Sequence, residues 1–179
     1  AQMQTIARQF NLSETIFVMP PRDSAHTARV RIFFPTAEIP FAGHPTLGCA
    51  LHLAAGAHQE GDFAGEIVLE EEAGLVPVTV VREAGRLRGM FTAPVLPAAH
   101  PGEAPAALIA EATGLTEGEM ALPGHAPALR AGGPAFLYVP VTSVAALGGA
   151  DPRAQAWSRL MAAGGVDAAC LYTPEPEDG

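Results

Sequence analysis

Long apolar runs are missing from this sequence. Of its 179 residues 49% are hydrophobic, yet no stretch reaches the ~18 to 20 consecutive apolar residues that a membrane-spanning helix needs. A membrane partner is therefore not expected. Basic residues are scarce: 10 stand against 19 acidic ones, a formal net charge of −9. A nucleic-acid binder needs a basic patch to displace counterions from phosphate, and none is visible. The acidity reads as a solubility feature. Cysteines are few, Cys49 and Cys170 alone, both in apolar sequence surroundings and neither in a CxxC pair. Buried, reduced thiols in a cytoplasmic protein are expected rather than a disulfide. The six histidines (26, 44, 52, 58, 100 and 125) show no zinc-binding spacing such as HExxH, so no metal site is indicated. GxGxxG, Walker and Gly-x-Ser-x-Gly motifs are all absent, which removes the usual nucleotide-cofactor and serine-hydrolase readings. The opening AQMQTIARQF has neither an initiator Met nor a signal-peptide layout. The natural N-terminus is expected upstream.

What is present is a dense succession of short elements, punctuated by 17 Pro and 19 Gly. Met3, Ile6, Ala7 and Phe10 fall at helical spacing, which predicts an amphipathic helix over 1–10 that stops at Asn11. Thr15 to Met19 reads as a strand ended by Pro20-Pro21, and Ala28 to Phe34 as an alternating, half-buried strand. Leu47 to Ala57 is apolar almost all round, with His52 the exception, so a helix there is expected to be enclosed by protein. Strands follow at 66–71, 75–82 and 87–92. The simplest burial of the helix is a sheet curled around it. Residues 1–93 thus form a first domain, and the proline-rich 94–105 a linker. Residues 106–179 form a second domain that looks incomplete, because it offers no second apolar helix. In it, helices are expected at 106–113 and after Asp151-Pro152, with Asp151 as N-cap. Strands are expected at 135–141 and 168–172, and a polar tail at 174–179.

Two places could carry chemistry. Gly43-His44-Pro45-Thr46 opens the apolar helix, where free N–H groups and the positive end of the helix dipole attract a carboxylate or phosphate. Gly43 admits a ligand close to the backbone, and His44 can donate to it or shuttle protons. From spacing alone the four residues read more readily as a turn with a solvated histidine. Glu14 stands at the mouth of a strand beside apolar residues, where lost hydration tunes a carboxylate for proton transfer. Taken alone it reads more readily as a solvated loop acid. Glu70-Glu71-Glu72 reads as a solvated hairpin end.

These residues lie in two ordered blocks. One is Asn11-Leu12-Ser13-Glu14-Thr15-Ile16-Phe17-Val18. The other runs Arg31-Ile32-Phe33-Phe34-Pro35-Thr36-Ala37-Glu38-Ile39-Pro40-Phe41-Ala42-Gly43-His44-Pro45-Thr46. Together they resemble the signature of the PhzF family of phenazine-biosynthesis isomerases, with Phe34 where Thr is common. The resemblance implies an α+β fold of the diaminopimelate-epimerase type: two pseudo-symmetric domains, each a sheet wrapped on a central helix, with the active site between them. It implies no cofactor, a small carboxylic acid substrate and a homodimer. The family's best-known activity is isomerisation of trans-2,3-dihydro-3-hydroxyanthranilate. By the same mapping Glu14 carries the proton and His44 assists, while Ser13, Gly43 and Thr46 contact substrate. The alternatives are a cysteine-dependent racemase or a non-catalytic binder of small acids.

Overall fold

In a computed structural model the described residues are 1–166 and 168–174. They divide into two compact units, Ala1–Leu96 and Pro97–Gly179.

The first unit opens with helix α1 (Gln2–Phe10), which Asn11 ends in the left-handed conformation, φ 49°, its N–H bonded to Ala7 O. Asparagine is among the few residues that tolerate this geometry. Strand β1 (Thr15–Met19) pairs antiparallel with β2 (Ala28–Phe33), which also carries the short β3 (Glu38–Ile39). Helix α2 (Gly43–Ala57) follows. Then come β4 (Phe63–Glu71), β5 (Gly74–Glu83) and β6 (Arg86–Phe91), a meander of antiparallel pairs. The β5–β6 turn has φ > 0 at both central residues, Ala84 (49°) and Gly85 (76°), the geometry that matches strand twist. The sheet order is β1-β2-β4-β5-β6. β2 and β4 run parallel, because α2 intervenes as a crossover.

The core of this unit is set by the alternation of β5. Val76, Val78 and Val80 are fully buried beside Leu69, and Cys49, Ala50 and Ala54 of α2 pack into the same cluster. Gly89 on β6 makes room: a Cβ there would stand 3.2 Å from Leu51 Cδ2 and closer still to Leu47 Cδ1. Strands contact α2 from one side. Gly48, His52 and Gly56, four residues apart, form an exposed stripe, so the helix is not enclosed all round as its composition suggested. Two glycines and a histidine make that stripe cheap to leave in water.

The second unit holds β7 (Ala98–Ala99), α3 (Ala106–Thr113), a 3-10 turn (Gly118–Met120), β8 (Ala128–Ala131) and β9 (Ala135–Pro140). It continues with α4 (Val144–Gly148), α5 (Ala154–Gly164) and β10 (Ala168–Tyr172). Its sheet order is β10-β9-β8-β7, with β9 and β10 parallel. Ile109 of α3 and Leu160 of α5 bury against Leu137 and Val139. Within the stretch expected as a linker, Ala98–Ala99 pairs with β8. Asp151 is not the N-cap of α5. That helix starts at Ala154 after Arg153, with no side-chain cap, because the N–H groups of Asp151 and Arg153 donate to Thr113 O and Ala112 O and hold 151–153 extended. Cys170 is exposed, not buried, and both thiols are free. The tail at 174–179 lies almost wholly outside the described residues. Among the described residues no helix is long and apolar enough to cross a membrane, and no group of three or more His, Cys, Asp or Glu could hold a metal.

The Glu70-Glu71-Glu72 run is not a uniformly solvated end. Glu70 accepts from the N–H groups of Arg22 and Asp23 at 2.9 and 3.0 Å and lies 2.9 Å from His26 Nδ1. The Asp23 and Arg22 N–H groups, then His26, hold its carboxyl down at about 2. Glu72 pairs with Arg29 at 3.5 Å.

Three outcomes follow from these placements. Leu69→Ala removes a side chain that is 0% exposed and should cost about 2 to 5 kcal/mol, read as a lower denaturant midpoint at unchanged slope. Leu75→Ala, at a half-exposed position, should stay within about 0.5 kcal/mol. Glu70 lies below its ordinary 4.5 when folded, so the unfolded chain binds its proton first. Its contribution is complete above pH about 4.5 and disappears as pH falls towards 2. Acid unfolding should therefore begin at higher pH in Glu70→Gln, measured by circular dichroism along a pH series.

Candidate functional site

The mouth of α2 is built by the loop that precedes it. Arg31 on β2 reaches Glu38 on β3 through two charge-assisted hydrogen bonds, one at 2.6 Å from Nε to Oε1, the paired fork geometry that guanidinium and carboxylate favour. This hydrogen bond raises Arg31 and, in return, lowers Glu38 from their ordinary values. Phe34 N–H donates to Ala37 O at 2.8 Å to close the turn between them, and Gln4 of α1 donates to Phe34 O and Pro35 O. Phe41 then buries against Phe91, edge to face at 5.7 Å. Ala42 is extended, φ −150° and ψ 131°, and the helix begins at Gly43.

Pro45 is buried in the first turn, where a missing N–H costs nothing. The N–H groups of Gly43 and His44 bond to no described residue, as the first turn of a helix dictates. Gly43 sits under Phe91: a Cβ would come within 3.2 Å of its Cζ. Glu14, just before β1, brings Oε2 to 3.6 Å from His44 Nδ1, with the Glu14 side chain 19% exposed and His44 87% exposed. That is an ion-pair separation, too long for a hydrogen bond. Ser13 beside Glu14 is exposed.

The structure thus brings Glu14, His44 and Gly43 to one place, with Ser13 next in sequence to Glu14. Thr46 is placed differently. It is 0% exposed, its N–H donates to Ala42 O, and its Oγ1 lies 2.7 Å from Ala42 O and 2.6 Å from Glu71 Oε1. None of its polar hydrogens points outward, so it braces the mouth from beneath. A carboxylate arriving at Gly43 and His44 would meet two free N–H donors and an exposed imidazole, with Glu14 beside them.

Two contributors were not singled out from the sequence. The Arg31–Glu38 clamp joins two residues of one signature block, seven apart, with a proline turn between them that signals a return of the chain. Glu71 was taken for solvated. Its signal was parity: Ile67, Leu69 and Glu71 share one face of β4, and Leu69 is fully buried. Burial pushes the Glu71 carboxyl up to about 7 against the opposing effect of the Thr46 hydroxyl. Burial, with the nearby Glu71 adding to it, also lifts the Cys49 thiol to about 11, which leaves it a poor nucleophile.

The chain matches known proteins along nearly its whole length. It is 43% identical over 158 residues to an uncharacterized isomerase of Mesorhizobium japonicum, covering 88% of this chain and 52% of that protein. It is 36% identical over 151 residues to the trans-2,3-dihydro-3-hydroxyanthranilate isomerase of Pseudomonas aeruginosa, covering 84% of this chain and 50% of that one. It therefore spans about half the length of the curated relatives it matches. Among solved structures, a predicted epimerase of Pseudomonas aeruginosa superposes with a TM-score of 0.71 at 28% identity, over 94% of this chain and 58% of that one. A PhzF-family protein of Bacillus anthracis shares the fold, with a TM-score of 0.68 at 21% identity, over 98% and 58%. The α+β architecture is that of these proteins. A family model described as phenazine biosynthesis-like protein matches residues 1–176, and the chain belongs to that PhzC-PhzF family.

Proposed function

We propose that this chain is part of a cofactor-independent isomerase that moves a proton between two positions of a small organic acid. The observation that carries this reading is the placement of Glu14 3.6 Å from His44, beside the two unpaired N–H groups at the start of α2. The N–H pair and the helix dipole hold the substrate's carboxylate. Glu14 removes a proton from carbon and returns it elsewhere on the same molecule. His44, the more exposed partner, orients Glu14 and donates to the substrate as charge develops. A separation slightly beyond hydrogen-bond range in the free protein suits this role, since such contacts tighten when ligand arrives. Ser13 and Gly43 line the approach.

The named relatives support an isomerase of this kind. A dihydro-hydroxyanthranilate, a small cyclic acid, is the substrate in the name of one of them, and we take that chemical class as the substrate class. Two domains joined by a linker, a homodimer and a cytoplasmic setting belong to the same proposal. The cysteine-racemase alternative fares poorly, because the Cys49 thiol is buried and held near 11.

In the complete protein, Glu14→Gln should lower turnover by about 10² to 10⁴ or more, the usual size of a general acid–base contribution, while fold and ligand affinity persist. His44→Asn should lose less. Solvent deuterium entering substrate or product is the readout. Native-rate exchange in the Gln variant would remove Glu14 from the mechanism and leave a binder of small acids as the reading.

A further inference from the structure

Beneath the mouth of α2 lies a hydrogen-bond arrangement that does not balance if every carboxylate is ionised. Thr46 Oγ1 lies 2.7 Å from Ala42 O and 2.6 Å from Glu71 Oε1, and a hydroxyl has a single hydrogen to give. Ala42 O has no hydrogen to offer. Each contact has a hydrogen of its own only if Glu71 carries a proton, so that Glu71 donates to Thr46 and Thr46 donates to Ala42. The other carboxyl oxygen, Glu71 Oε2, is buried with no hydrogen-bond partner among the described residues. A charged oxygen left so would be expensive, and a neutral carbonyl oxygen much less so.

We propose that Glu71 is a positioning residue that works as the neutral acid: it holds the Thr46 hydroxyl against Ala42, and on ionisation draws it away and loosens the first turn that presents Gly43 and His44. The proposal rests on the preceding reading of that turn as the substrate's anchor. The surroundings leave Glu71 to act alone. From α2 it faces Thr46 and Cys49, whose thiol stays protonated near 11. Arg29 of β2 is paired with Glu72, and His26 with Glu70. The neighbouring end of β5 begins at Gly74 and offers no ionisable side chain before Arg82. Burial holds the Glu71 carboxyl near 7, so the change would fall in the physiological range.

The sign is fixed by linkage. A carboxyl raised in the folded state binds its proton more tightly there than in the unfolded chain. Its contribution to stability is therefore complete below about 4.5 and is lost as pH rises through about 7.

The test uses the 179-residue chain without substrate, labelled with ¹³C at glutamate carboxyls and ¹⁵N at amides, and titrated by NMR. One carboxyl should show a midpoint near 7, and the Thr46 amide should follow it. In Glu71→Gln that carboxyl signal and the Thr46 transition should both vanish, while the amide spectrum elsewhere stays native-like. Thr46→Val should move the carboxyl midpoint upward, because the ionised form loses its donor. If Glu71→Gln does not fold, through-bond assignment of Glu71 in the native chain answers the same question. A Glu71 midpoint near 4.5, or a Thr46 amide that does not move with the Glu71 carboxyl, overturns the proposal. Since no turnover is measured, this result stands apart from the fate of Glu14→Gln.

Discussion

The small-residue face of α2 must seat against β4 and β5, and the arrangement at its mouth depends on that contact. Cys49, Ala50 and Ala54 offer little side-chain volume, so the helix axis can approach Leu69, Val76, Val78 and Val80 closely. The missing Cβ of Gly89 lets Leu47 and Leu51 settle against β6. A close seat fixes where the first turn emerges, and with it the direction of the two free N–H groups. Interiors packed at this density transmit small displacements rather than absorb them. A methylene added at Ala50 would move the mouth as well as strain the core.

The loop from β2 to α2 solves a second constraint. It must deliver a helix start to within reach of Glu14, which belongs to a different part of the sheet. Arg31 and Glu38 tie the two ends of the turn, while Gln4 and Arg8 fasten it to α1 through Phe34 O and Pro35 O. The Phe41–Phe91 contact pins its far end to β6. Each tie is modest, and ion pairs this exposed contribute little to global stability. Their value is positional: they remove freedom from a segment that would otherwise pay for its ordering each time a ligand bound.

Much of this was legible in the sequence, and the failures have physical causes. Thr15–Met19, Ala106–Thr113 and Ala168–Tyr172 were read at their observed bounds because Pro, Gly or a change of period marks their ends. The candidates Glu14 and His44 were picked out from a strand mouth and a helix start, and the blocks that resemble a family signature joined them in one site; spacing along the chain says nothing about a 3.6 Å approach. Asp151-Pro152 carries a strong helix-start pattern, yet tertiary hydrogen bonds to α3 hold it extended. Thr46 looked like a ligand contact from its place in the motif. Which way a first-turn side chain points depends on what lies behind the helix, and here that is Glu71. The open stripe of Gly48, His52 and Gly56 was hidden because glycine scores as neither polar nor apolar, and two of them fall in line with the one polar residue.

The three adjacent glutamates show how little residue type decides. Glu70, Glu71 and Glu72 are chemically interchangeable, yet one is held as a strong acid by backbone donors, its neighbour is a weak acid in the interior, and the third simply meets an arginine. Their roles are assigned by parity along β4, and parity is counted from Leu69. A single-residue insertion between Leu69 and Glu70 would keep all three acids in their order and change only the residue before the first of them. It would nonetheless exchange their identities, turning the carboxylate that prefers charge inward and the one that prefers its proton out to water. The strand is in this sense a phase-sensitive code, in which a homopolymeric stretch acquires meaning only from the position of the hydrophobic residue that starts the count.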